Sequence, residues 1–273
     1  MTLPRIFAKV INPRETGLIR KDFREIWSNG VVRALLILLP TVLAGVIPII
    51  FIVLASILPE ESMESMTQMR GLLGEGQQYM NDRQSMFYIF SDCLGPMLFL
   101  LVPLLISCVT AATSFVGERQ NGTLETLFLT PMTTREIFKA KAVGSVILSV
   151  VATLASFVIY LVVMIVGDVM LGVTFFLANP SWIVIVLLVA PAFIVFGVLF
   201  MVLLNAHGTS VGESMQICGY VALPFIFLFI AQFSGAFRLN VGWYLLLAGV
   251  IWIVDLFLWR NTARHFTTER LLR

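Results

Sequence analysis

Charge is scarce in this sequence. Only 12 % of its 273 residues are Asp, Glu, Lys or Arg, where a soluble globular domain carries about 25 %. The net charge of +2 leaves no basic excess to suggest a nucleic-acid partner. Histidine occurs twice, as His207 and His265, too far apart in sequence for a histidine-based metal cluster. Of three cysteines, Cys93, Cys108 and Cys218, the last two lie inside apolar runs. The odd count and this placement argue against a disulfide framework. There is no H-E-x-x-H and no histidine in the core of an apolar run. An intramembrane hydrolase or transferase would need a nucleophile–base pair or metal ligands facing a wet cavity, and none is visible. The first thirty residues are basic and mixed, without the short apolar core and small-residue cleavage site of a secretory signal.

What is abundant is apolar side chain, at 59 % of residues. Such a surplus has to be covered by lipid. Six apolar stretches stand out: Val31–Leu58, Phe87–Phe115, Val143–Gly167, Trp182–Leu204, Ile217–Phe233 and Trp243–Trp259. Crossing the hydrocarbon core takes about 20 helical residues. The first two are long and carry Pro40, Pro48, Pro96 and Pro103, which predicts tilting or kinking. The sequence therefore predicts an all-α membrane protein of about six transmembrane helices. It reads as one membrane domain over 1–273: an interfacial segment at 1–30, a six-span region at 31–259 and a tail at 260–273.

Lysine and arginine set the orientation. Fifteen of the 18 lie before or at the start of the first span, between the second and third, or after the sixth. The other side holds Arg70, Arg83 and Arg238. The basic side is expected to be cytoplasmic, with both termini there, in a cell membrane (plasma or inner). The first outer loop, Pro59–Met86, is acidic, with Met63, Met66, Met69 and Leu72/Leu73 at near-helical spacing. It is either a short outer helix or a flexible loop. Asp92, Asp168 and Asp255 lie near span ends, and Asp255 is about one turn from Arg260, within reach of pairing. No charge sits at mid-membrane, so no proton relay is predicted.

Two charged segments carry more information. In Ile19–Gly30, Ile19, Phe23, Ile26 and Trp27 share one helical face, while Arg20, Lys21, Arg24 and Glu25 fall largely elsewhere. This sorting suits a helix lying in the membrane interface, with Lys21, Phe23, Arg24 and Trp27 as its anchors. The loop Val116–Lys141 is longer than a link between spans requires. Leu124, Leu127 and Phe128 form an apolar i, i+3, i+4 face, so Asn121–Leu129 is predicted to be a short amphipathic helix that Pro131 ends. Asn121 is its candidate cap, with Gly122 easing its start. Thr133 and Glu136 have the spacing of a capping box for the third span. A built helix at this place is either an interfacial helix or a docking surface. Gly117-x-x-x-x-Gly122-Thr123 lacks the lysine and the preceding strand of a phosphate-binding loop.

The residues Glu118-Arg119-x-x-Gly122-Thr123-Leu124-Glu125, then Pro131, Arg135-Glu136-Ile137 and Lys141, resemble the signature of type-2 ABC transporter permeases. Lys21-Asp22-Phe23-Arg24-Glu25 is similar to that family's segment before the first span. His207–Pro224, with Glu213 and Gln216, resembles its turn before a proline-bearing fifth span. The resemblance covers essentially the whole topology. Gln120 departs from it, standing where the family often has a second acidic residue. The resemblance implies that Asn121–Leu129 is a coupling helix seated in a separate cytoplasmic ABC ATPase. Glu118, Arg119, Gly122, Thr123, Leu124, Glu125, Leu127 and Phe128 would be its contact residues. It implies no cofactor of the chain's own, ATP being bound by the partner. It further implies a second permease chain, identical or not, since six spans make half a pathway, with export favoured. Between spans five and six it allows a re-entrant hairpin or a plain turn. A membrane assembly or scaffold protein is the alternative reading, with an intramembrane enzyme behind it.

Overall fold

The structure is a computed structural model, and it describes residues 13–57, 81–120, 122, 132–174, 176, 179–204, 211–234 and 239–265. Every regular element among them is helical. Helix α1 (Pro13–Ser28) precedes six helices long and apolar enough to span a membrane: Gly30–Ile57, Asp82–Glu118, Glu136–Leu171, Ser181–Leu204, Val211–Phe233 and Val241–Thr262. All six predicted spans are present. The second, third and fifth begin several residues earlier than the apolar runs, because their first turns are polar and stand at the membrane boundary. The predicted outer-loop helix falls within residues 59–80, which lie outside the described residues. The fifth span runs unbroken through Pro224 and the sixth starts at Val241. Residues 235–238 between them lie outside the described residues.

Proline shapes three of the spans. Each has a π-helical turn that ends two residues before a proline: Val42–Val46 before Pro48, Ile89–Leu94 before Pro96 and Ile185–Val189 before Pro191. A proline ring clashes with the carbonyl four residues back and supplies no N–H to it. Those carbonyls belong to Ala44, Asp92 and Leu187, each inside its π turn. The wider turn relieves the clash without a break.

The second span is the centre of the bundle. Of its most apolar window, 94 % is buried, against 17–50 % for the other five. It packs on the fourth, fifth, third and first spans, while the sixth packs on the fourth. Small residues allow the closest approaches. A Cβ on Gly197 would collide with the Ser107 hydroxyl of the second span, and one on Gly167 would come within 2.6 Å of Phe87. Short polar bonds supplement the packing. Thr110 and Ser149 join spans two and three at 2.9 Å. The Gln232 amide donates to the Cys93 carbonyl at 2.9 Å, tying span five to a π turn of span two. Large apolar side chains remain outside, among them Leu38, Val158, Phe227 and Phe257. Only a lipid surround accommodates that surface.

Asp255 does not pair with Arg260. Its carboxylate is buried and has no hydrogen-bond partner among the described residues, while Arg260 is exposed. Five residues on a helix turn about 140° around its axis, so the two side chains leave on different faces.

Candidate functional site: a buried charge cluster at the basic end

Helix α1 is built with three faces. Leu18, Ile19, Asp22 and Ile26 are buried against the bundle. Phe23 and Trp27, with rings nearly parallel at 6.1 Å, are exposed at 43 % and 46 %. Arg20, Lys21 and Arg24 complete the circumference. The sequence placed Ile19, Phe23, Ile26 and Trp27 on one face. The structure divides that set, because the buried arc is centred on Asp22. A sequence pattern sorts polar from apolar, and it separates neither protein-facing from membrane-facing apolar residues nor a buried carboxylate from a solvated one.

Asp22 is buried with partners. The Ser114 hydroxyl of the second span donates to Asp22 Oδ2 at 2.7 Å. The Lys141 ammonium of the third span lies 3.3 Å from the same oxygen and donates at 2.7 Å to the Ser114 carbonyl. Lys141 also reaches Glu118 Oε2 at 3.2 Å, and Lys21 reaches Glu118 Oε1 at 2.8 Å. Two carboxylates and two ammonium groups therefore balance, and Asp22, Glu118 and Lys141 are each at most 5 % exposed. Glu25 brings a third carboxylate within 4.8 Å of the other two. Burial pushes the Asp22 carboxyl above its ordinary value, against the pull of Lys141 and Ser114. Burial pulls the Lys21 ammonium down, but its bond and charge interaction with Glu118 outweigh this and hold it above its ordinary value.

The cluster joins α1, the last turns of the second span and the first turns of the third. These are the two ends of the loop 121–131. Phe115 continues the junction: Lys141 lies 6.0 Å from its ring, and Phe115, Phe138 and Trp259 follow one another toward the sixth span. Gln120, the departure from the family pattern, accepts from the Val211 backbone N–H at 3.0 Å and so links this hub to the start of the fifth span. The third span opens on the predicted capping box. Thr133 Oγ1 accepts from the Glu136 N–H at 3.3 Å, and Glu136 accepts from the Thr133 N–H at 2.8 Å.

The eight predicted coupling residues are placed unequally. Glu118 faces inward, 1 % exposed, so its carboxylate contacts the chain's own lysines. Arg119 is in the final turn of the second-span helix. Gly122 has a φ of 66°, a left-handed conformation that favours glycine, with open space around its missing Cβ. Thr123, Leu124, Glu125, Leu127 and Phe128 lie outside the described residues. Sequence reasoning gave no structural role to Asp22, Ser114 or Lys141. A signal existed: Asp22 stands at i, i+4 spacing between Leu18 and Ile26 on an otherwise apolar arc.

The profile of the ABC-2 family transporter protein matches residues 17–240, which takes in most of α1, the charge cluster and the first five spans. The chain belongs to the ABC-2 transporter family. No curated protein and no solved structure matches it. This ABC-2 chain is thus a multi-pass permease, the membrane component of an ABC transporter rather than its ATPase.

Proposed function

We propose that this permease is driven by a separate cytoplasmic ABC ATPase that docks on the segment 118–129. The observation that carries the proposal is the buried charge cluster. It fastens α1 to both ends of the loop, so a push on the loop displaces α1 and spans two and three as a unit. The second span is central, and its movement reaches the fourth and fifth spans directly. Arg119, Gly122, Thr123, Leu124, Glu125, Leu127 and Phe128 form the contact in this reading. Glu118 supports it from behind, as a positioning residue. Lys21, Phe23, Arg24 and Trp27 hold α1 in the interface: two exposed aromatic rings reach into the headgroup region beside a basic arc.

The distribution of lysine and arginine supports a cytoplasmic location for α1, the loop and both termini, in the plasma or inner membrane. Six spans make half a pathway in the architecture the resemblance implies, which supports a second permease chain, the same or different, as the other half. Export follows the family resemblance. Isolating the tagged permease with its associated chains tests the reading. A co-eluting ATPase with a phosphate-binding loop is expected, and Arg119→Ala with Glu125→Ala should lower its yield while α1 stays docked. Undiminished co-elution would refute docking at this segment. Labelling in intact cells tests the orientation: a cysteine at Met69 should react with an impermeant maleimide, and one at Thr126 should not.

A further inference from the structure

The sixth span carries a carboxylate that the packing of the chain does not use. Asp255 is 3 % exposed, and neither of its oxygens has a hydrogen-bond partner among the described residues. It stands on the arc of Tyr244, Ala248, Ile251, Asp255 and Thr262 that is buried along this helix. The sixth span packs on the fourth, and Ser181–Leu204 contains no Lys, Arg, His, Asp or Glu. Lys141, one turn beyond Phe138 on the third span, is already bound to Asp22, Glu118 and the Ser114 carbonyl. Asp255 precedes the end of its span at Thr262 by two helical turns, a depth of about 10 Å. A carboxylate so placed in a membrane span marks a substrate or ion pathway.

We propose that Asp255, Trp252 and Trp259 form a recognition site for a lipophilic quaternary ammonium ion, the substrate class of this permease; the word substrate rests on the transport reading given above. At about 100° per residue, Trp252 and Trp259 lie roughly 60° and 40° around the helix axis from Asp255, on the same side of it. One is a turn before it and the other a turn after. They are 40 % and 50 % exposed. The two indoles therefore stand at the lipid margin, with the carboxylate just inside. Tryptophan is the best aromatic partner for a cation, and Asp255 supplies the countercharge. An inorganic divalent ion would need about six oxygen ligands, and the only side-chain oxygen on the facing span is that of Ser181, at its outer end. A primary ammonium would bring three N–H donors to satisfy. A quaternary ammonium has none, so one carboxylate and two indole faces suffice.

The arrangement also couples binding to movement. An ion arriving from the membrane meets the indoles first, and reaching the carboxylate requires the sixth span to shift off the fourth. In the packed state Asp255 is covered without a partner; in the shifted state it is paired with the ion. The ion therefore binds the shifted state better and draws the equilibrium toward it. The Trp259 ring lies 6.5 Å from that of Phe138, so the sixth span already touches the junction beside the charge cluster. The site lies beyond residue 240, where the family match ends.

The test is equilibrium dialysis of radiolabelled hexyltrimethylammonium against the full-length chain in lipid nanodiscs, with empty discs subtracted. Saturable binding is expected, and the neutral tert-butyl isostere of the probe should not displace it. Asp255→Asn, which is nearly isosteric, should weaken binding by roughly tenfold or more. Trp252→Leu and Trp259→Leu should each weaken it by roughly two- to fivefold. Trp243→Leu, at the outer end of the same span and 53 % exposed, should leave it unchanged. No saturable binding to the wild-type chain overturns the proposal. So does unchanged binding in Asp255→Asn, equal displacement by the neutral isostere, or an equal loss in Trp243→Leu. If Asp255→Asn fails to fold, the double variant Trp252→Leu with Trp259→Leu decides, and wild-type affinity there overturns the site. The ATPase takes no part in this measurement. Failure of its co-elution with the permease would refute the docking reading and leave the binding result standing, and the reverse holds as well.

Discussion

Removing the Lys141 ammonium is the sharpest perturbation of the cluster. In Lys141→Ala, Asp22 keeps the Ser114 hydroxyl, and Glu118 keeps Lys21, whose side chain is 48 % exposed. Two buried carboxylates then lose the buried cation that bridges them. Truncating one member of a buried, hydrogen-bonded ion pair costs about 3–5 kcal/mol, mostly because the other charge is left behind. The same reasoning gives Lys21→Ala a much smaller effect, roughly 0.2–1 kcal/mol, because water already screens that ammonium. The cost falls on the docking of α1, which Asp22 mediates. Amide exchange across Pro13–Ser28 should therefore accelerate about 100-fold or more in Lys141→Ala, since each 1.4 kcal/mol is roughly a factor of ten. Lys21→Ala should stay within several-fold of wild type. The compensated variant Asp22→Asn with Lys141→Met should recover part of the loss, because it removes one charge of each sign. Hydrogen exchange with mass spectrometry on the detergent-solubilised protein reads all four. Unchanged α1 exchange in Lys141→Ala, or an equal effect of Lys21→Ala, would refute the assignment of the cluster as the latch of α1.

Three further outcomes are expected. Gly122→Val should strain the left-handed turn by roughly 1–2 kcal/mol and reduce ATPase co-elution. Gly122→Asn should be milder, because asparagine tolerates that conformation; equal effects would place the fault in space rather than in φ. Asp22 has a higher pKa folded than unfolded, so the folded state holds the proton longer and the contribution of Asp22 to stability falls as pH rises from 3.8 toward the raised value. The difference in thermal midpoint between wild type and Asp22→Asn should carry this slope, and a slope of opposite sign would contradict it. Gly197→Ala drives a methyl into Ser107 between spans two and four, so the thermal midpoint should drop by an amount corresponding to about 1–3 kcal/mol, and Ser107→Ala should partly restore it.

The sequence by itself determined the six spans, the helix before the first of them and the capping box of the third. These depend on local quantities: apolar run length, residue sorting around one helix, and a threonine three residues from a glutamate. The prolines marked the deformations only in part: π turns precede Pro48, Pro96 and Pro191, while Pro40, Pro103 and Pro224 lie inside α-helices. Which span lies at the centre was not legible, because all six runs are apolar enough for lipid and the difference between lipid-facing and helix-facing leucine is one of neighbours. Nor was the latch. Glu118 read as a contact for the ATPase and Asp22 and Lys141 only as parts of family-like segments, 97 residues apart from Lys21 to Glu118 and 119 from Asp22 to Lys141. Such groups exist only once helices pack, since burial and partnership are properties of the space between elements, and the tertiary structure alone decides what fills it.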